Sequence, residues 1–156
     1  FRHATLQFHI KAPIFVLRQW MKHQVGCSWN EASGRYIEFE GDFYEPDIFR
    51  KQSQDNKQGS EGAIKKQNLA KQLYYDNHKR ALQDYKVLLD LGVCKEQARM
   101  VLPLSLYTEC YWTASLQAVM HFLKLREDGH SQWEIQEYAK RVRELSQEYF
   151  PISLSL

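Results

Sequence analysis

The sequence predicts an α+β fold: a mixed, mainly antiparallel sheet packed with long helices in a single domain. Three observations predict it. Residues 4–10 and Leu104 to Thr113 alternate apolar and polar side chains, the two-residue period of a half-buried strand. A long segment ending near Leu91 carries Ala70, Tyr74, Ala81, Tyr85 and Leu88 on one helical face. Strands and helices also follow one another without regular βαβ alternation, which disfavours a doubly wound parallel sheet.

The elements follow in order. After the first strand, Pro13 suits a helix start, and Ile14, Val16, Leu17, Trp20 and Met21 recur at helical spacing up to Gln24. Gly26 and Gly34 break the next stretch into turns, and Arg35 to Phe39 reads as a second strand. Residues 50–68 form a variable polar tract, expected as a mobile surface loop running into the long helix. Gly92 closes that helix as a C-terminal cap. Lys95 to Val101 reads as a short helix stopped by Pro103. Leu104 to Thr113 is a third strand, and helices over 115–125 and 131–148 finish the chain. Ser131, with Glu134 three residues on, has the pattern of a capping box for the last helix.

With 156 residues the chain can bury one hydrophobic core, so one domain over 1–156 is expected. Hydrophobic residues are 44% and charged residues 26%, a soluble globular profile. No apolar run approaches the ~20 residues of a membrane span, and Arg2, His3, Gln7 and His9 interrupt any signal-peptide core. A cytoplasmic protein without membrane partners is the expectation. The chain starts at Phe1, without Met and inside an apparent strand, so a missing N-terminal segment is expected. Cys27, Cys94 and Cys110 lack CxxC spacing, which argues against a disulfide framework and a zinc site and for small half-buried side chains. A net charge of +2 advertises no polycation, so anion binding falls to local clusters.

The densest cluster runs from Arg18 to Tyr36. A helix end delivers Gln19, Trp20, Lys22, His23 and Gln24, and a glycine-bearing loop then offers Glu31, Ser33, Gly34 and Arg35. Arg and Ser suit a phosphate, Gly permits close approach, and amide and carboxylate suit ring edges. A solvated helix end followed by a turn with an ordinary Glu–Arg pair accounts for the same residues about equally well. A second cluster runs from Leu125 to Ile135 around Arg126, which at a helix C-terminus also complements the dipole.

On these two clusters the chain resembles the flavin-dependent thymidylate synthases. Their signature is Arg-His-Arg, a short spacer, then Ser within Asn-Glu-x-Ser-x-Arg-Tyr. Here Lys22-His23-Gln24 precedes a spacer of eight residues, one more than the family's, and Asn30-Glu31-Ala32-Ser33-Gly34-Arg35-Tyr36 is intact. Lys11-Ala12-Pro13-Ile14-Phe15, Arg18-Gln19-Trp20, Ala98 to Pro103, Leu106-Tyr107-Thr108 and Leu125 to Ile135 also match, so the likeness runs from Phe1 to about Tyr149.

The resemblance implies that Gln19, Trp20, Lys22, Glu31, Ser33, Gly34, Arg35 and Arg99 hold dUMP, with Ser33, Arg35 and Arg99 near its phosphate. It implies that Arg126 is catalytic, contacting the uracil ring and favouring its ionised form. Lys22, His23, Gln24 and Glu31 would lie against FAD, joined by Ser115, Leu116, Gln117 and His121 of a neighbouring subunit. A homotetramer is implied, with active sites at subunit interfaces, NADPH as reductant of the flavin, methylenetetrahydrofolate as carbon donor, and no bound metal. The departures are the loss of two signature arginines to Lys22 and Gln24, the longer spacer, and the absence of the family's Gly-His-x-Ser/Thr-Pro segment. Lys keeps a charge but not the bidentate fork, and Gln keeps neither. Two rivals stand beside this reading. One is a related flavoenzyme that adds another one-carbon group, such as hydroxymethyl, to a pyrimidine nucleotide. The other is a non-catalytic nucleotide- or nucleic-acid-binding module, which the joint presence of Glu31, Arg99 and Arg126 disfavours.

Overall fold

A computed structural model describes residues 1–155. Its centre is an antiparallel three-stranded sheet, ordered β1 (Thr5–Pro13), β5 (Tyr107–Ser115), β2 (Cys27–Glu31). The register sets Phe8 opposite Trp112, Ile10 opposite Cys110, and Trp29 opposite Trp112. Because side chains alternate between faces, Phe8, Ile10, Ala12, Cys110, Trp112 and Ala114 all turn to one side and are buried there. The other face, with Gln7, His9, Lys11, Glu109 and Tyr111, stays exposed.

Three helices cover the buried face. α1 (Ile14–Trp20) follows β1 directly, and Pro13, the last residue of the strand, is its N-cap, because an extended ψ of 146° keeps it out of the helix. α4 (Leu116–Arg126) buries Leu116, Val119, Phe122 and Leu123, and α5 (Trp133–Gln147) buries Ile135, Ala139 and Val142, both at helical spacing. Trp20 is the keystone. It stacks on Phe122 at 4.6 Å and meets Trp112 edge-on at 5.1 Å, while Trp112 stacks on Trp29 at 5.6 Å.

Outside this core, β3 (Arg50–Gln52) and β4 (Ser60–Ala63) pair as an antiparallel hairpin where the sequence suggests a loop. Its Arg50 finds a buried partner, and Gln52 bonds the carbonyls of Lys57 and Gly59 across the turn. α2 (Gln67–Asp90) runs along the edge, burying only His78 and Tyr85. Gly92, at φ +86°, follows its C-cap as expected. α3 (Lys95–Ala98) tightens into a 3-10 turn over Arg99–Val101. No helix among the described residues is long and apolar enough to cross a membrane.

Three expectations are corrected. The second strand is Cys27–Glu31, not Arg35–Phe39, because Trp29 must reach the aromatic core while 35–39 turns away over α2. The first helix stops at Trp20 rather than Gln24. Ser131 does not cap α5: its hydroxyl donates to the Leu125 carbonyl, the N-cap is Gln132, and Glu134 is drawn inward to a guanidinium. Of the cysteines, Cys110 is buried and Cys27 partly so, whereas Cys94 is exposed.

Candidate active site

The turn after α1 builds the site. Trp20 is locked in the core, and the His23 amide bonds back to its carbonyl at 2.9 Å, which fixes the direction of the next three residues. His23 is therefore pressed against α4, edge-on to Phe122 at 5.2 Å and beside His121 at 5.8 Å. Gly26 then reverses the chain at φ +73°, close to the start of α4, where the Ser115 amide bonds its carbonyl. A Cβ there would lie 2.7 Å from Ser115 Oγ, which itself caps α4 by accepting the Ala118 amide. Glycine is what lets the loop pass.

Arg126, the last residue of α4, closes the arrangement. Its Nε donates to His23 Nε2 at 3.0 Å, and Nη2 reaches the Gln19 carbonyl at 3.5 Å. Burial, then the Arg126 charge and His121, push the His23 imidazole down to about 4, so it is neutral at physiological pH. Burial also lowers the Arg126 guanidinium from its ordinary value without approaching deprotonation at neutral pH. The result is a fixed cation braced by a neutral ring.

Arg126 lies between two openings. One, of about 650 Å³, is lined by Lys22, His23, Gly26, Ser115, Gln117 and His121, with Arg2, Val25 and Ala118 beside them. The other, of about 530 Å³, takes in Gln19, Gln132 and, from the β3–β4 turn, Gln58. Three positive charges (Arg2, Lys22 and Arg126), two imidazoles and an apolar wall in the first can hold a ligand that is anionic at one end and planar at the other.

A separate patch gathers Ser33, Gly34, Arg35 and Arg99. The Arg35 amide donates to Ser33 Oγ at 3.3 Å, and its guanidinium lies 3.5 Å from Glu96 and 5.7 Å from the Tyr36 ring. Gly34 permits the crowding, since a Cβ would meet Phe39 at 2.4 Å and Arg99 Cδ at 3.2 Å. Arg35 and Arg99 are exposed. Neither opening beside Arg126 is lined by Ser33, Gly34, Arg35 or Arg99.

Of the residues singled out from sequence, Gln19, Lys22, His23, Ser115, Gln117, His121 and Arg126 face the two openings in one chain, including three of the four expected from a neighbouring subunit. Trp20 and Leu116 point into the core instead, each 1% exposed, and Gln24 and Glu31 are exposed outside these openings. Sequence reasoning missed Arg2, Gln58 and Gln132. Nothing in local spacing singles out the first two, whereas Gln132 belongs to the recognised second cluster.

The model of the family described as thymidylate synthase complementing protein matches residues 1–152. The chain belongs to that family. Among family relatives, the flavin-dependent thymidylate synthase of Thermus thermophilus is 48% identical over 153 residues, 98% of this chain and 56% of that protein. The enzyme of the same name from Kosmotoga olearia is 41% identical over 157 residues, 98% of this chain and 67% of that one. The chain thus spans between about half and two thirds of the relatives it matches. Among solved structures, the UMP/dUMP methylase PolB of Streptomyces cacaoi, bound with 5-Br dUMP, superposes with a TM-score of 0.83 at 32% identity. That match covers 92% of this chain and 66% of the other.

Proposed function

We propose that this chain supplies the nucleotide- and flavin-handling core of a flavin-dependent thymidylate synthase, converting dUMP to dTMP in the cytoplasm. In this reading methylenetetrahydrofolate gives the carbon and NADPH reduces FAD. The observation that carries it is the guanidinium of Arg126, held between neutral His23 and the Gln19 carbonyl where two clefts meet.

A flavin nucleotide fits the larger cleft. Lys22 and Arg2 offer charge to a diphosphate, Val25 and Ala118 an apolar wall to a planar ring, and Gly26 the room for close approach. When bound and reduced, FAD supplies the hydride. The chain's own groups orient and stabilise. Arg126 sits beside the pyrimidine and favours charge developing on it, an effect strengthened by partial removal from water. His23, neutral and accepting from Nε, fixes the guanidinium plane. No protein nucleophile is called for, in keeping with Cys110, whose thiol burial pushes up to about 12.

Ser33, Gly34, Arg35 and Arg99 supply the second half of the dUMP site, binding its phosphate, with Glu31 at the ring or ribose. None of them lines either opening beside Arg126, so this reading depends on assembly. Subunits of a homotetramer bring one chain's Arg35 patch to another's Arg126.

The test is direct. Purified protein incubated with FAD is expected to turn yellow, bleach with NADPH, and form dTMP from dUMP and methylenetetrahydrofolate by mass spectrometry. Protein that takes up neither FAD nor dUMP sinks the proposal. A product heavier by one oxygen than dTMP would establish hydroxymethyl transfer instead, and a parallel assay with UMP tests the sugar requirement.

A further inference from the structure

The polar side chains around the opening that Arg126 shares with Gln19 are nearly all engaged. Gln19 donates to Gln132, His130 pairs with Asp128, and Ser131 donates to the Leu125 carbonyl. Arg126 is braced on His23 and on the Gln19 carbonyl. Among the described residues, only Lys124 and Gln58 border this opening with a polar side chain that has no partner. Lys124 is exposed in the last turn of α4, where a solvated charge suits the helix dipole. Gln58 has no such ordinary reason to be there. It arrives from the turn of the β3–β4 hairpin.

The hairpin buries almost nothing of its own. Every residue of β4 is exposed, as are Lys51 and Gln52 of β3. A two-stranded hairpin alone is marginal in water. Polar contacts hold this one at root and tip instead. At the root, Arg50 Nη2 donates to Glu134 Oε1 at 2.6 Å, and its Nε donates to Ser60 Oγ on the opposite strand at 2.8 Å. Glu134, 6% exposed, also accepts from Tyr44 at 3.2 Å and from Gln132 at 2.8 Å, so its buried charge is compensated. Beside it, Gln67 bonds both the amide and the carbonyl of Phe49. At the tip, Gln52 Nε2 donates to the carbonyls of Lys57 and Gly59, and the Gln58 backbone N–H donates to Asn56 Oδ1 at 3.1 Å. The arm is braced along its length and tied to α5, and Gln58 is the tip residue that reaches the opening.

We propose that Gln58 is a further substrate-binding residue, brought over the Arg126 opening by the hairpin to donate its side-chain NH2 to a carbonyl oxygen of the uracil ring. This rests on the dUMP reading above. When N3 of that ring loses its proton, the negative charge spreads onto the two flanking carbonyl oxygens. A donor on either one favours the ionised ring, the direction in which Arg126 also acts. A carboxamide adds this without a second charge to desolvate. The arm behind it keeps water from the ring, which strengthens both contacts. Anchor and opening share a wall, since Gln132 bonds Glu134 and also borders the opening.

The experiment compares the FAD-loaded protein with two variants, Gln58→Ala and Gln58→Met. The Gln58 side chain bonds nothing in the free protein, so both variants should fold as wild type does. Methionine keeps the length and bulk of glutamine and lacks its donor. Equilibrium binding of dUMP is expected to weaken roughly three- to tenfold in both, the size of one neutral hydrogen bond. Fluorine nuclear magnetic resonance of bound 5-fluoro-dUMP follows the ionisation of N3, and its midpoint should move to higher pH in both variants. A merely structural role would not move that midpoint. Weaker binding with an unmoved midpoint overturns the inference, because Gln58 would then touch some other part of the nucleotide. Wild type that binds dUMP, with Gln58→Met equal to it in affinity and midpoint, overturns this inference alone. Wild type that does not bind dUMP overturns the dUMP reading and this inference with it.

Discussion

Arg126 Nε donates to His23 Nε2 at 3.0 Å, so the imidazole proton must sit on Nδ1 and a second proton can enter only by breaking that bond. The same contact explains why a histidine at the mouth of a polar cleft stays neutral. Burial and the adjacent guanidinium both penalise its cation, bringing it from an ordinary 6.5 to about 4.

That depression fixes a pH dependence. Between about pH 6.5 and 4 the unfolded chain binds a proton at His23 that the folded chain refuses, so stability falls as the solution is acidified through this window. The full penalty, reached below pH 4, is roughly 3 kcal/mol. Urea unfolding at pH 7.5 and pH 4.5, compared between wild type and His23→Gln, measures it. The variant should lose distinctly less stability on acidification; equal losses would mean that the imidazole titrates normally.

Removing the guanidinium separates the two causes. In Arg126→Gln the His23 imidazole should titrate higher than about 4 but still below 6.5, because burial, the larger cause, persists. Nuclear magnetic resonance of the ring carbons follows this directly. Turnover of dUMP should vanish in the same variant while circular dichroism stays unchanged. Retained turnover would remove Arg126 from the chemistry.

Gly26→Ala tests the loop that carries His23. At φ +73° a Cβ costs about 1 kcal/mol on conformational grounds, and here it would also press on Ser115 Oγ at 2.7 Å. Loss of the α4 cap adds about 1 kcal/mol. A stability loss of roughly 2 kcal/mol is expected, together with weaker FAD uptake, since the loop must shift along the cleft wall. Unchanged stability and flavin binding would mean that the loop yields without cost.

How much of this was legible in the sequence depends on what holds each segment. β1, β5, α4 and α5 bury one face against a common core, so their periodicity carried the information, and Gly92 announced the end of α2. β2 was not legible. Only Trp29 and Cys27 are even partly buried, and the strand exists because β5 offers an edge to pair with. Arg35 to Phe39 has more strand-like composition but no partner. The hairpin at Arg50–Ala63 is held by Arg50 on Glu134, a contact across 84 residues that no local pattern displays. For the site, the expected helix over 115–125 placed Arg126 at its end, as α4 does, whereas His121 came from the family resemblance alone. That Trp20 and Leu116 would be spent on the core, between neighbours that face the clefts, follows only from packing.

Arg143 and Glu127 offer a last test, of geometry against charge. Arg143 Nε and Nη2 reach the two Glu127 oxygens at 2.6 Å each, while Nη1 donates to the Leu154 carbonyl at 3.0 Å. One guanidinium therefore ties α5 to the C-cap of α4 and to the chain's end, directly beside Arg126. Lysine keeps the charge but cannot make three directed bonds. The pair is partly exposed, so its Coulombic share is screened and the fork should matter more than the charge. Arg143→Lys should thus lose most of what Arg143→Met loses, about 1–2 kcal/mol by urea unfolding. If lysine instead restores wild-type stability, charge alone holds α4 to α5. The geometry of Arg126 would then have to be set from the His23 side.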